Sequence, residues 1–182
     1  MRTKSIPTRR KFANEWDEIE YLYQKILYWF YPLRNHRKAL AFCKRLDRLL
    51  PKADPGHEAI FSEGCWSLLY EVKGNLPKAI QFRESEIKLI KRLWEISRGT
   101  PGEEFVFQQY DTSDLSDRYD LLAILYHDAG NLDKAIEILR ESEQLCKESG
   151  IRFDGKDLLG DYLAEKKQLA SDKTPKRRRS SA

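Results

Sequence analysis

No apolar run in the chain approaches the roughly 18 residues that a membrane-crossing helix requires. The longest, Ile26 to Leu33, is short and interrupted by Pro32, so no membrane partner is expected. The N-terminus is charged and lacks an apolar signal region, and secretion is therefore not expected. Cysteine is scarce: Cys43, Cys65 and Cys146 are odd in number and far apart. That excludes a disulfide frame and a CxxC metal site, and points to free thiols in a reducing compartment. Seven prolines and nine glycines in 182 residues are too few for a disordered chain. Histidine is rarer still, with His36, His57 and His127 widely separated and without a cysteine or carboxylate at metal-ligand spacing. No phosphate loop, dinucleotide glycine pattern, nucleophile elbow or HExxH is present. Neither catalysis nor a cofactor or metal is expected.

What is abundant is charge, 34% of the residues, beside 41% apolar residues and a net charge of +4. The charge is unevenly placed. Arg2, Lys4, Arg9, Arg10 and Lys11 precede any acid, and Lys173, Lys176, Arg177, Arg178 and Arg179 follow the last one. Setting these ten aside leaves 23 basic against 29 acidic residues over 12–172, a net charge of −6. Residues 1–13 read as a flexible basic arm and 171–182 as a disordered basic tail around an acidic body. The tail's Lys176, Arg177, Arg178 and Arg179 admit a solubilising role, contact with nucleic acid, or a nuclear address if the host is eukaryotic. Nucleic-acid contact through such arms, without interleaved aromatics, would be electrostatic and salt-dependent.

Between the arms, apolar residues recur at spacings of three and four. They predict helices over about 15–31, 35–50, 57–73, 77–97, 115–129, 133–149 and 157–170, with a short one near 103–110. The first carries apolar or aromatic residues all round, the mark of a helix buried on every side or facing a partner. Phe105, Val106, Phe107 and Tyr110 likewise need cover. Asp111, Asp114, Asp117 and Asp120 recur every three residues, as caps and a solvated face or as an acidic contact surface.

One phrase is written twice. Residues 74–80 read Gly-Asn-Leu-Pro-Lys-Ala-Ile and residues 130–136 read Gly-Asn-Leu-Asp-Lys-Ala-Ile. Glycine suits the left-handed residue that ends one helix, Pro77 and Asp133 suit the first turn of the next, and Ala79 and Ala135 permit a close approach. Lys38-Ala39 provides a third anchor, preceded by Arg34-Asn35. Each alanine has an aromatic nine residues earlier: Phe30, Tyr70 and Tyr126. Three residues before it, Ser67 and Ala123 are small and Leu27 is large.

This pattern, with Tyr23, Tyr119 and the closing Pro51, resembles the tetratricopeptide repeat (TPR) family of roughly 34-residue helix pairs. The likeness covers about residues 17–150. It departs from the family in its 40- and 56-residue anchor spacings, in an insertion around 97–115, and in Arg83 where a bulky apolar residue is usual. The resemblance implies an all-α fold: a right-handed stack of antiparallel helix pairs, a TPR-like α-solenoid. About three repeats (17–51, 57–97 and 115–150) and a capping helix (157–170) would make one domain over 14–170. It implies a concave groove lined by Tyr21, Gln24, Tyr28 and Tyr31, then Phe61, Leu68 and Glu71, then Asp117, Asp120, Ile124, His127 and Asp128. The family's chaperone-binding members clamp a terminal carboxylate with Lys and Asn. Here the matching places hold Gln24, Gly64 and Asp120, then Tyr28, Leu68 and Ile124, which argues against that clamp.

The expected function is a non-enzymatic scaffold or adaptor, cytoplasmic, binding a protein segment with apolar anchors and basic charge. The alternatives are a nucleic-acid-associated accessory protein acting through its arms, and a homo-oligomer formed through the aromatic first helix. The groove could also be filled within the chain by the last helix, the insertion or an end arm.

Overall fold

The computed structural model describes residues 12–172. The basic residues of 1–11 and the tail with Lys176, Arg177, Arg178 and Arg179 lie outside them. The described residues are all-helical with no strand, and no helix among them is long and apolar enough to cross a membrane. The chain divides into two compact units, Met1–Ala79 and Ile80–Ala182. Unit 1 holds α1 (Glu15–Phe30), α2 (His36–Leu49), a 3-10 turn (Gly56–Glu58), α3 (Ala59–Val72) and the first turn of α4 (Leu76–Ser97). Unit 2 holds the rest of α4, then α5 (Glu103–Gln109), α6 (Thr112–Asp128), α7 (Leu132–Glu148) and α8 (Lys156–Asp172).

Asparagine starts the second helix of each pair. The side-chain oxygens of Asn35, Asn75 and Asn131 accept from the N–H of Lys38, Lys78 and Lys134 at 3.1, 3.3 and 3.2 Å, satisfying a donor that the first turn leaves orphaned. The chain arrives there by a similar route each time. The N–H of each asparagine returns to the carbonyl of Trp29, Tyr70 or Tyr126 at 2.8 Å, and the residue before it has a positive φ. That residue is Gly74 (φ 75) or Gly130 (φ 78) in the two expected hinges, and Arg34 (φ 47) in the first. Arg34 holds a backbone conformation that a Cβ disfavours. The positive-φ residue and the Asn cap are therefore common to all three hinges, although the first has no glycine and its returning hydrogen bond spans one residue more.

The reversed chain brings the next helix in close. Ala39, Ala79 and Ala135 have no exposed surface, and the Ser67 hydroxyl donates to the carbonyl of Ala79 at 2.8 Å. In unit 1, Ile19, Leu22 and Ile26 of α1 meet Ala39, Cys43 and Leu46 of α2 and Cys65, Leu68, Leu69 and Val72 of α3 in one apolar cluster. In unit 2, α6 and α7 pack along their lengths through Leu115, Leu122, Ala123 and Leu125 and through Ala135, Ile136 and Leu139. The Ser116 and Ser142 hydroxyls pair there at 2.8 Å, and the Cys146 thiol donates to Ser116 at 3.4 Å. All three cysteines are free and buried. Burial, opposed by Lys73, pushes the Cys43 thiol up to about 12, so it remains protonated.

Arg83, the departure from the usual apolar residue, is fully buried and paired with the Glu86 carboxylate three residues on. Arg118 approaches the other Glu86 oxygen at 3.3 Å. A buried charge persists only when it is paired in this way.

Several expected boundaries move. Helix α6 begins at Thr112 because Asp111 caps it, accepting from the N–H of Asp114 at 2.8 Å. Helix α8 continues to Asp172, so residues 171 and 172 belong to the helix and not to the tail. Residues 12 and 13 leave the arm: Phe12 lies against the ring of Tyr21 at 5.6 Å, and the N–H of Ala13 donates to Asp17 at 3.0 Å. Helix α1 buries only Ile19, Leu22 and Ile26 fully. Its remaining aromatics other than the exposed Tyr28 are half-covered, with Lys38 over the Trp29 ring at 3.7 Å. Of the insertion's apolar residues, Tyr110 is buried and Phe105 is 67% exposed.

Arg34→Gly should raise stability by about 0.5–1 kcal/mol, and Gly130→Ala should lower it by about 1 kcal/mol or more. Urea denaturation of the two variants tests the shared hinge geometry.

Candidate functional site

In unit 1 the outer face of α1 presents Gln24 and Tyr28, the latter 53% exposed. Tyr21 is half-buried. Together with Phe12, Asp17, Glu20, Gln24 and Lys25 it lines a depression of about 570 Å³, and Lys25 stands over its ring at 5.5 Å. The other four expected groove residues of this unit are drawn inward. Leu68 has no exposed surface and belongs to the core. Phe61 packs edge-on against Tyr23 at 5.3 Å and against Trp16 at 6.2 Å. Glu71 is buried, and the Tyr31 hydroxyl donates to its carboxylate, lying 2.7 and 2.8 Å from the two oxygens. Leu68 and Glu71 are thus corrected from partner contacts to packing residues, because α3 is covered by α1 and α2 along the face where they lie.

In unit 2 the five expected residues follow one face of α6, and α8 covers part of it. The ring of His127 lies flat on that of Tyr162, with centroids 4.4 Å apart and planes 6° from parallel. His127 Nε2 is 2.8 Å from Glu165, and Nδ1 is 3.7 Å from Asp128. Gly155, just ahead of α8, is packed so closely over Asp120 that a Cβ on it would sit 2.6 Å from Asp120 Oδ1. That oxygen is buried and has no hydrogen-bond partner. Desolvation, with Asp117 and Asp154 nearby, raises the Asp120 carboxyl to about 6. Asp117 and Asp128 remain exposed, and Ile124 is half-buried. Asp117 is also lifted above the usual carboxylate range, first by desolvation, which Arg118 opposes and Asp114, Asp154 and Asp111 reinforce. The acidic row is therefore not uniformly solvated: Asp111 is a cap, Asp114 pairs with Arg118 at 3.2 Å, and Asp120 is under cover.

A second feature of unit 2 was not foreseen. Helices α4, α6 and α7 enclose an open cleft of about 550 Å³ with Ile87, Leu122 and Ile138 at its base. Lys88, Lys91, Arg92 and Lys134 rim it, facing Glu84, Glu95 and Glu141. Glu141 ties the cleft together. It takes the Tyr119 hydroxyl at 2.5 Å and the Lys91 ammonium at 2.6 Å, and Lys91 also stands over the Tyr119 ring at 5.1 Å. Burial raises the Tyr119 hydroxyl far above its ordinary value, helped by its bond to Glu141. Desolvation would also raise Glu141, but the bonds from Lys91 and Tyr119 and the charges of Lys91 and Lys134 prevail, and its carboxyl is held low. The sequence signal was present in Glu84, Lys88, Lys91, Arg92 and Glu95, which form one stripe of α4 at helical spacing.

Among the described residues, no group of three or more His, Cys, Asp or Glu side chains is placed to hold a metal ion. No protein-family model, curated protein or solved structure matches the chain.

Because the Glu141 carboxyl is held low, its contribution is fully present above the ordinary value of 4.5 and is lost as pH falls through the folded-state value. Glu141→Gln should cost about 1 kcal/mol at pH 7, the scale of a partly exposed charge-assisted network. Urea midpoints of the two proteins should converge as pH falls below 4.5.

Proposed function

We propose that the chain is a non-enzymatic protein-interaction scaffold, built as a TPR-like right-handed stack of three helix pairs closed by α8. It would bind an extended protein segment with apolar anchors and basic charge. The observation that carries this reading is the hinge used three times: a positive-φ residue, an Asn cap and a fully buried alanine at Arg34–Ala39, Gly74–Ala79 and Gly130–Ala135. Chains that repeat a helix pair in this way hold their first helices side by side as a binding platform. Each unit supplies a face of the required chemistry. Unit 1 offers Tyr21, Gln24 and Tyr28, with an aromatic ring as anchor. Unit 2 offers the exposed carboxylates of Asp117 and Asp128, which would attract cationic side chains. The contacts of Asp120 and His127 with α8 narrow that acidic face. Helix α8 thus fills part of the surface that the first-helix pattern assigns to a partner.

Peptide-library selection on the full chain tests the proposal. Basic peptides with an aromatic or aliphatic anchor should be enriched. Their affinity should fall about tenfold or more for Tyr28→Glu and for the Asp117→Lys, Asp128→Lys double variant, as for hot-spot and charge-reversal changes generally. Removing residues 1–11 and 173–182 should leave it intact. Peptides that bind all variants equally, or binding that disappears only with the two basic ends, would refute the scaffold reading.

A further inference from the structure

Helix α8 is held to unit 2 by few apolar contacts. Only Leu159 and Tyr162 of its hydrophobic side chains are buried, whereas Leu163 and Leu169 are 38% and 48% exposed. Its N-terminal attachment rests on Gly155, which is buried and presses onto the carboxyl of Asp120 with the ring of Phe153 beside it. A Cβ at residue 155 would lie 2.6 Å from Asp120 Oδ1 and 2.7 Å from that ring. This close packing over Asp120 strips water from an oxygen that no donor replaces. An ionised carboxyl in that position opposes closure, whereas a neutral one tolerates it.

The charges around the contact reinforce the effect. Asp117 on α6 and Asp154 in the α7–α8 connection are the groups whose fields reach Asp120, and both are acidic. Asp154 is partly answered by Arg152 at 3.1 Å, a pair with side chains 74% and 90% exposed. Glu143 of α7 and Lys156 and Asp157 of α8 rim the depression of about 520 Å³ beside the same connection, together with Arg152 and Asp154. No cation among them bonds to Asp120.

We propose that Asp117, Asp120 and Asp154 make the docking of α8 a proton-operated latch, closed when Asp120 is protonated and loosened when it ionises. The folded-state carboxyl, raised to about 6, takes up its proton as pH falls through that value, so the closed state is favoured below it. Opening would return Asp120 to water and uncover His127, now under Tyr162. The latch concerns α8 alone and stands whether or not the α6 face receives a partner.

Backbone hydrogen exchange over residues 156–165 of the full chain, corrected for intrinsic rates at pH 5 and pH 7.5, reads the latch directly. Wild-type protection should be roughly five- to tenfold higher at pH 5, the scale set by a carboxyl raised to about 6. Asp120→Asn should show the high protection at both pH values. His127→Gln removes the ring stacked on Tyr162 and its contact with Glu165 and should leave most of the pH dependence in place. Asp154→Asn, at an exposed side chain, should lower the pH at which protection changes, and it tests the cluster even if the Asp120 variant folds poorly. The proposal is overturned if wild-type protection is independent of pH or greater at pH 7.5, which would mark the carboxylate as a cap for α8. Dependence that survives in Asp120→Asn, or is unmoved in Asp154→Asn, overturns it equally.

Discussion

The hinge in which a left-handed residue hands the chain to an asparagine cap is the constraint on which each helix pair depends. The cap satisfies one of the orphaned donors of the new helix, an effect of about 1 kcal/mol. The carbonyls of Trp29, Tyr70 and Tyr126 are each satisfied by the N–H of the capping asparagine. With both helix ends satisfied in so few residues, the second helix must run back against the first. A side chain larger than alanine at residues 39, 79 or 135, none of which has exposed surface, would force the two axes apart. Turn chemistry and alanine packing are two halves of one requirement.

Inside that frame the helices are keyed to one another by polar groups as well as apolar ones. Ser67 meets the Ala79 carbonyl, Ser116 meets Ser142, Tyr31 meets Glu71, and Glu86 lies between Arg83 and Arg118. Replacing a buried ion pair with apolar residues is often neutral or stabilising, so such a pair is weak evidence of added stability. Its geometry is more demanding than that of methyl groups, however, and a sliding of α4 by one turn would carry Arg83 and Glu86 together away from Arg118 of α6. These contacts select a register among helices whose apolar stripes alone would accept several.

Much of this was legible in the sequence because helix ends are local chemistry. Asn35 and Asn131 mark starts that agree with the observed ones within a residue or two, and Gly150 marks a stop. The start of α6 was placed three residues late because Asp111 was one of four evenly spaced acids, and spacing does not reveal which of them is the cap. Leu68 and Glu71 were assigned to a groove because repeat position indicates which face of a helix turns toward a neighbour. It does not indicate how far the neighbour covers that face, and Tyr31 and the α1 core extend over both. The cover over Asp120 has a longer-range origin: Gly155, which lies over its Oδ1, is 35 positions away and carries no side chain for a pattern to register. The α4 stripe from Glu84 to Glu95 was readable but belongs to the second helix of a pair, whereas the family resemblance directed attention to the first.

The unequal holding of the helices has a consequence for how unit 2 moves. Helix α7 is fixed by Ala135, Ile136, Leu139 and Cys146, and burial of side chains of this kind contributes about 1.5–3 kcal/mol for each large one. Helix α8 has Leu159 and Tyr162, with the Lys166–Asp133 and His127–Glu165 contacts at 2.5 and 2.8 Å, all four of whose side chains are at least 31% exposed. Exposed ion pairs are worth about 0–1 kcal/mol each and are screened by salt. Local opening follows the weakest set of contacts, so α8 separates from the unit well before α6 parts from α7. What it uncovers first is set by its own spacing: His127 lies under Tyr162 and Asp120 under Gly155, both on the face of α6 that would otherwise be free.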